Sequence, residues 1–330
     1  MTTLRPPIGA SGHGGGLDYH RTMLEDLARV DAYERGIRAL VRPGDVVLDL
    51  GAGTGLLSML AARAGAKKVY AVESMPVAGL ARSLVAENGL GDRVEVIQAE
   101  FTSLTPPEPV DLVISEFMGR FVEDDGMLPV VEATARWMKP DARFCPGRVD
   151  LLIAPVGGFH LSSVDHFERP MLGLKMGSAW TTALHNRYGV NLRPDAALAE
   201  PTLFHRLEPP RLSLAERPLD HQAQFTLRSG GRLRGVAGWF VAELAPTVTL
   251  DTGPGHTTHW GQLLFPTPTV ITKNGDVLDV HIRLDTEHPE QIWRWSGALR
   301  RGGETLMSFD LSSDPAHLQN TPTSPRLERP

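Results

Sequence analysis

The 330-residue chain has 33 Lys and Arg against 39 Asp and Glu, a formal net charge of −6, and 42% hydrophobic residues. That is too apolar for a disordered chain and, at about 100–200 residues per domain, long enough for two domains. The acidic balance argues against a nucleic-acid partner, and no apolar run approaches the roughly 20 residues a membrane span needs.

Residues 1–16 are rich in Gly and Pro, lack the apolar core of a signal peptide, and are expected to form a flexible leader. Residues 17–42 predict a helix, with Met23, Leu24, Leu27, Val30 and Leu40 recurring at helical spacing. VVLDL (46–50) is a continuous apolar run, the pattern of a strand buried on both faces. A glycine-rich turn follows, then a helix over LLSMLAARAG. KVYAVE (68–73), VEVIQ (94–98) and VDLVISE (110–116) read as further strands. PVAGLARSLVAENGL and DDGMLPVVEATARWM read as helices, the second ending at Lys139–Pro140. Strands alternating with helices predict a doubly wound parallel sheet with right-handed connections. Beyond about residue 145 the texture changes. Residues 149–155 read as a strand, and 157–205 mix helical and loop signals. From about 206, short alternating runs such as QFTLRS and VLDVHIRLD, punctuated by Pro and Gly, predict an antiparallel sandwich or barrel. The last residues, 313–330, are expected to be a flexible tail. The single cysteine, Cys145, permits no intramolecular disulfide; it is expected to be a small buried hydrophobe and suits a reducing, cytoplasmic compartment.

Asp49-Leu50-Gly51-Ala52-Gly53-Thr54-Gly55 sits on the first strand-to-helix turn, where glycines let a ligand approach the main chain. A dinucleotide fold has a similar turn, but the spacing here is G-x-G-x-G rather than G-x-G-x-x-G. Glu73 ends the next strand, twenty residues after Gly53, where a carboxylate accepts from both hydroxyls of a ribose. Glu100, after the third strand, is placed to meet an adenine amino group. The stretch from Val47 to Glu73 resembles the cofactor region of class I S-adenosylmethionine methyltransferases. By that resemblance residues 17–148 form a Rossmann-like cofactor domain and 149–312 a second, all-β domain.

The loop after the fourth strand, Ser115-Glu116-Phe117-Met118-Gly119-Arg120-Phe121 and onward to Met127, offers two carboxylates nine positions apart, Glu116 and Asp125. Such a pair can do acid–base work, hold a metal, or grip a planar cation. No His or Cys with ligand spacing lies nearby, which argues against a metal. A guanidinium presents five N–H donors in a rigid fork and suits two carboxylates.

This loop resembles the double-glutamate loop of the protein arginine methyltransferases, S-E-x-M-G with a second glutamate nine positions on; Asp125 stands where that glutamate would be. His20-x-x-Met23-Leu24-x-Asp26-x-x-Arg29-x-x-x-Tyr33 resembles the family's cofactor-covering helix, and Thr258-His259-Trp260 its Thr-His-Trp loop. The resemblance spans about residues 19–310. It implies a β-barrel with an arm at about 157–200 through which the chain forms a homodimer. It implies S-adenosyl-L-methionine as methyl donor, S-adenosyl-L-homocysteine as product and no metal. Arg29 would pair with the donor's carboxylate, with Met23, Asp49, Gly51, Gly53, Gly55, Glu73 and Glu100 completing the cofactor contacts. Glu116, Asp125, His259 and Asp26 would be catalytic, the Asp26–His259 pair being one of the groups able to take the departing proton. Met127, Trp260 and Phe117 would join the two carboxylates against the substrate. The family's Tyr-Phe-x-x-Tyr motif is missing, HGGGLDYH standing in its place, and Arg120 replaces a common aromatic. These departures lie in the acceptor half and tilt the expected acceptor toward free L-arginine over protein arginine. A different amine acceptor and a non-catalytic scaffold of the same fold are the competing readings.

Overall fold

A computed structural model describes residues 17–121, 128–212, 220–285 and 292–314. Two helices open it, α1 (Leu17–Glu25) and α2 (Leu27–Leu40). The single helix expected over 17–42 is therefore broken. Asp26 leaves the helical region at φ −76°, ψ 83°, and its side chain accepts the Arg29 N–H, capping α2. The apolar period runs through the break, so periodicity alone does not reveal it.

The Rossmann-like layer follows as β1 (Val46–Leu50), α3 (Leu56–Ala64), β2 (Lys68–Glu73), α4 (Ala78–Glu87), β3 (Val94–Gln98), β4 (Val110–Ser115), α5 (Leu128–Glu132) and β5 (Met138–Cys145). The sheet order is β3-β2-β1-β4-β5, and every pairing is parallel. Every residue of β1 is buried, its four apolar residues as such a strand requires and Asp49 with them. The order reverses beside β1, between β1 and β4, and a crevice at the carboxyl ends of such strands is where open α/β sheets bind ligands. Two expectations fail here. The helix expected up to Lys139 is described only from Leu128 and passes into a 3₁₀ turn over Ala133–Arg136. Lys139–Pro140, read as a terminator, lies inside β5, an edge strand with a half-exposed first half that tolerates a missing N–H donor.

The second layer is antiparallel. It comprises β6 (Arg148–Gly157), α6 (Ser162–Asp165), α7 (Gly177–Leu184), β7 (Tyr188–Val190), β8 (Thr202–Leu207), β9 (Asp220–Thr226), β10 (Gly231–Ala245), β11 (Val248–Asp251), β12 (Gln262–Thr272), β13 (Val277–Asp285), β14 (Ile292–Arg301) and β15 (Glu304–Ser312). One sheet runs β7-β12-β10-β6-β8 with β11 on β10, the other β15-β14-β13-β9. The long β10 bulges between Leu233 and Gly235, and a Cβ at Gly235 would lie 2.2 Å from the Phe265 carbonyl, so only glycine allows that approach. Phe265, Trp293 and Trp295 pack as an aromatic cluster in this domain's core. Cys145 is fully buried, as expected.

The two layers are tied at α2. Gly36 lies so close to β10 that a Cβ there would be 2.8 Å from the Leu244 Cβ. The loop after β4 is anchored in both cores: Phe117 packs edge-on to Phe144, and Phe121 inserts between Phe204, Phe265 and Trp293. Burying an aromatic of this size contributes roughly 1.5–3 kcal/mol, so the loop is fixed at both ends of its described part.

Candidate active site

β1 ends in the glycine turn, whose first two amides, Gly51 and Ala52, donate to the Val72 carbonyl at 2.9 and 3.0 Å. Gly53 has φ +54°, a left-handed conformation that favours glycine, and a Cβ there would press on the His20 ring at 3.3 Å. Its amide donates to one Glu73 oxygen at 2.9 Å, and the Met75 amide donates to the other at 2.8 Å. Glu73 is thus held with its carboxylate facing the turn, each oxygen keeping a second lone pair for a ligand.

Between this turn and α1 lies a cavity of about 350 Å³. Met23, Arg29, Gly51, Gly53, Glu73, Glu100 and Glu116 all line it, so most of the expected cofactor residues converge. Asp49 and Gly55 do not. Asp49 lies beneath the turn, 1% exposed, and takes a 2.5 Å hydrogen bond from the Ser58 hydroxyl. Burial pushes its carboxyl up to about 6, against the pull of Ser58. Gly55 caps α3 from behind, its Cα facing Ala81. Both support the turn without reaching the cavity.

His20, Tyr19, Met75 and Phe101, none of them among the expected site residues, line the cavity too. His20 was in view as the first residue of the helix pattern. Its Nε2 is buried without a hydrogen-bond partner, a polar atom left for a ligand to satisfy. Desolvation lowers the His20 pKa, partly opposed by Glu73, so the ring favours its neutral form.

The acceptor side begins where Arg29 meets Glu116. Nε and Nη2 of Arg29 both reach Oε2 of Glu116 at 3.1 Å, Nη1 reaches the Met23 carbonyl at 3.4 Å, and the guanidinium stands 5.5 Å from the Tyr33 ring centre. Tyr33 in turn donates to the Ser115 carbonyl at 3.2 Å, so α2 braces the root of the loop. Across the cleft, Oδ2 of Asp26 accepts from both the backbone N–H and the Nδ1 of His259, each at 2.8 Å. Desolvation raises the Asp26 pKa, but the hydrogen bonds from His259 and Arg29 outweigh it and hold the carboxyl below the usual range. The Nδ1 side of the His259 ring is thus turned to the carboxylate of Asp26.

Two substrate expectations change. Phe117 is 1% exposed and turned into the parallel-sheet core, so its ring cannot line an acceptor pocket. Trp260 is buried, its ring centre 4.0 Å from that of His259 and edge-on to Phe240, which makes it a backing for His259. Asp125 and Met127 lie outside the described residues. Among the described residues no three His, Cys, Asp or Glu gather as a metal site would require, and no helix is long and apolar enough to cross a membrane.

A parallel sheet with a glycine turn, an acidic residue closing the second strand and a cavity between them make a nucleoside-binding domain, and residues 47–141 match the family model described as a methyltransferase domain. The chain is 35% identical over 261 residues to protein arginine N-methyltransferase 6 of Xenopus laevis, covering 74% of this chain and 77% of that protein. It is 32% identical over 301 residues to protein arginine N-methyltransferase PRMT10 of Oryza sativa subsp. japonica, covering 79% of each. The fold is similar to that of Arabidopsis thaliana protein arginine methyltransferase 10, with a TM-score of 0.79, 26% identity, and 90% of this chain and 97% of that one covered. It is also similar to the Trypanosoma brucei PRMT1 enzyme-prozyme heterotetrameric complex with AdoHcy, with a TM-score of 0.83, 21% identity, and 90% and 98% covered. The chain belongs to the protein arginine N-methyltransferase family, and it is an S-adenosylmethionine-dependent arginine methyltransferase.

Proposed function

We propose that this enzyme methylates arginine side chains in peptides or proteins. The tilt toward free L-arginine finds no support among the relatives, which are named for protein arginine. A guanidinium acceptor is supported by Glu116, whose carboxylate already holds the guanidinium of Arg29 at the edge of the cofactor cavity, and the protein-borne form of that acceptor by the relatives' names.

S-adenosylmethionine fits the cavity residues: a carboxylate for a ribose, an unsatisfied buried imidazole nitrogen, and an arginine for a carboxylate. When bound, it supplies an electrophilic methyl group on a sulfonium. Arg29 then bridges, pairing with the donor's carboxylate on one side and orienting Glu116 on the other. Glu116 accepts from the N–H edge of the incoming guanidinium and draws positive charge away from the attacking nitrogen, a role the family resemblance shares out to Asp125, which lies outside the described residues. A guanidinium, with a pKa above about 12, is otherwise a poor nucleophile. Much of the remaining acceleration comes from positioning the two reactants. His259, oriented by Asp26 and backed by Trp260, presents an acceptor nitrogen for the departing proton.

The exposed turn after α6 carries Met171, Leu172 and Leu174, and Leu172 is 97% exposed. Apolar side chains displayed in this way suit the tip of a dimerisation arm, and we take the enzyme to be a homodimer of the cytoplasm. The test of the acceptor is a labelled-methyl transfer assay with an arginine-rich peptide and free L-arginine, read by product mass. Methylated peptide is the expected product. Methylation of free arginine alone would overturn the reading.

A further inference from the structure

The loop after β4 carries a charged side chain for which arginine chemistry has so far given no use. Arg120 lies between Gly119 and the buried Phe121, and its Nε–H donates to the Trp260 carbonyl at 2.8 Å, across 140 residues of sequence. Its guanidinium lies flat against β7. A Cβ at Gly189 would stand 3.0 Å from both Cζ and Nε of Arg120 and 3.3 Å from Nη2. Gly189 has no positive φ and pairs in regular antiparallel register with Leu263, so its backbone would accept any residue. The three atoms nearest to that position all belong to the Arg120 side chain. The arginine and the glycine are thus a matched pair.

Its position gives this pair a consequence for the reaction. Trp260 is the residue after His259, and Arg120 is four residues after Glu116. The hydrogen bond between them joins the wall that carries the carboxylate to the wall that carries the histidine. The carboxylate wall is braced from α2 by Tyr33, and the histidine wall from the start of α2 by Asp26. Arg120 closes this frame on the side away from α2. We propose that Arg120 is a positioning residue that sets the spacing between Glu116 and His259, and that Gly189 provides the space it needs. A lysine cannot replace it, because an ammonium has neither the flat face that lies on Gly189 nor an Nε–H along the side chain.

The proposal rests on the arginine-methylating activity, and a double-mutant cycle tests it. Arg120→Ala, Arg120→Lys, Gly189→Ala and the double variant Arg120→Ala/Gly189→Ala are compared for kcat, KM of the acceptor, cofactor Kd by calorimetry, and Tm. Loss of a hydrogen bond to a charged donor corresponds to about ten- to hundredfold in kcat/KM. Each single variant is expected to lose at least about tenfold, with lysine giving no rescue and cofactor Kd changing by less than about twofold. The double variant is expected to be no worse than Arg120→Ala, since a methyl at 189 then meets no guanidinium. Additive losses, full activity in Gly189→Ala, or activity falling in step with Tm or cofactor affinity would each overturn the proposal. Wild-type turnover with peptide and with free arginine is measured in the same series. The cycle is run on whichever acceptor reacts, so failure of the peptide reading and failure of the Arg120 proposal are told apart.

Discussion

Asn at position 26 separates what Asp26 does for the helix from what it does for the site. One oxygen, Oδ1, accepts the Arg29 N–H at 3.0 Å and caps α2; the other, Oδ2, accepts both hydrogen bonds from His259 at 2.8 Å. An amide has one acceptor and one donor end. With its oxygen toward His259, the NH₂ faces the Arg29 N–H and the cap is lost, at a cost of about 1 kcal/mol. With its oxygen toward Arg29, the NH₂ faces two His259 donors and strands the backbone one, at about 1–3 kcal/mol. The first orientation is cheaper, so Asp26→Asn should cost about 1–2 kcal/mol, loosen the start of α2, and retain His259. Asp26→Ala loses both sets and should cost about 2–4 kcal/mol. Amide hydrogen exchange reads the two segments separately. In the Asn variant, protection should fall over residues 27–31 and persist at His259, with turnover reduced less than in the Ala variant. Equal loss of protection at His259 in both variants would refute this account of the two oxygens.

Three further outcomes follow from the geometry. Burial raises the Asp49 carboxyl to about 6, so its contribution to stability is full below the ordinary 3.8 and is lost as pH rises through 6. At about 1.4 kcal/mol per pH unit this amounts to roughly 3 kcal/mol. Asp49→Asn should therefore gain on the wild type by that amount between pH 4 and 7 in urea unfolding, and a constant difference would contradict it. Gly53→Ala puts a side chain at φ +54° and 3.3 Å from His20, so cofactor Kd should rise at least about tenfold by calorimetry; an unchanged Kd would place the cofactor elsewhere. If the proposed homodimer forms through the exposed turn after α6, wild type should run as a dimer and Leu172→Asp as a monomer in light scattering without lowering Tm, and a variant that stays dimeric would remove this turn from the interface.

The parallel sheet and its cavity were legible because each depends on local chemistry. β1 is apolar at every position but Asp49 and buried throughout, and Gly53 and Glu73 are spaced by the turn and strand that bring them into contact at 2.9 Å. The Asp26–His259 pair spans 233 residues, and nothing in local pattern could join them; only the resemblance did. The break at Asp26 was hidden by an apolar period common to α1 and α2. β5 was hidden by Pro140, which an edge strand accommodates. Phe117 was placed against the substrate, and Arg120 was read only as a departure from the family's pattern, for another reason. A loop residue's direction is set by the cores it is pinned between, here Phe144 on one side and the β-domain on the other. Asp125 and Met127 lie outside the described residues.

Everything proposed for the acceptor side depends on Glu116 being the carboxylate that receives the acceptor guanidinium. Glu116→Gln tests it most directly, because the amide oxygen can still accept from Arg29 and so keeps the cofactor side intact, while the negative charge is gone. Methyl transfer to an arginine peptide is measured beside cofactor titration of the same variant. The account predicts cofactor affinity within a few-fold of wild type and turnover lowered at least about a hundredfold. Turnover near the wild-type rate in a variant that binds cofactor normally would contradict it.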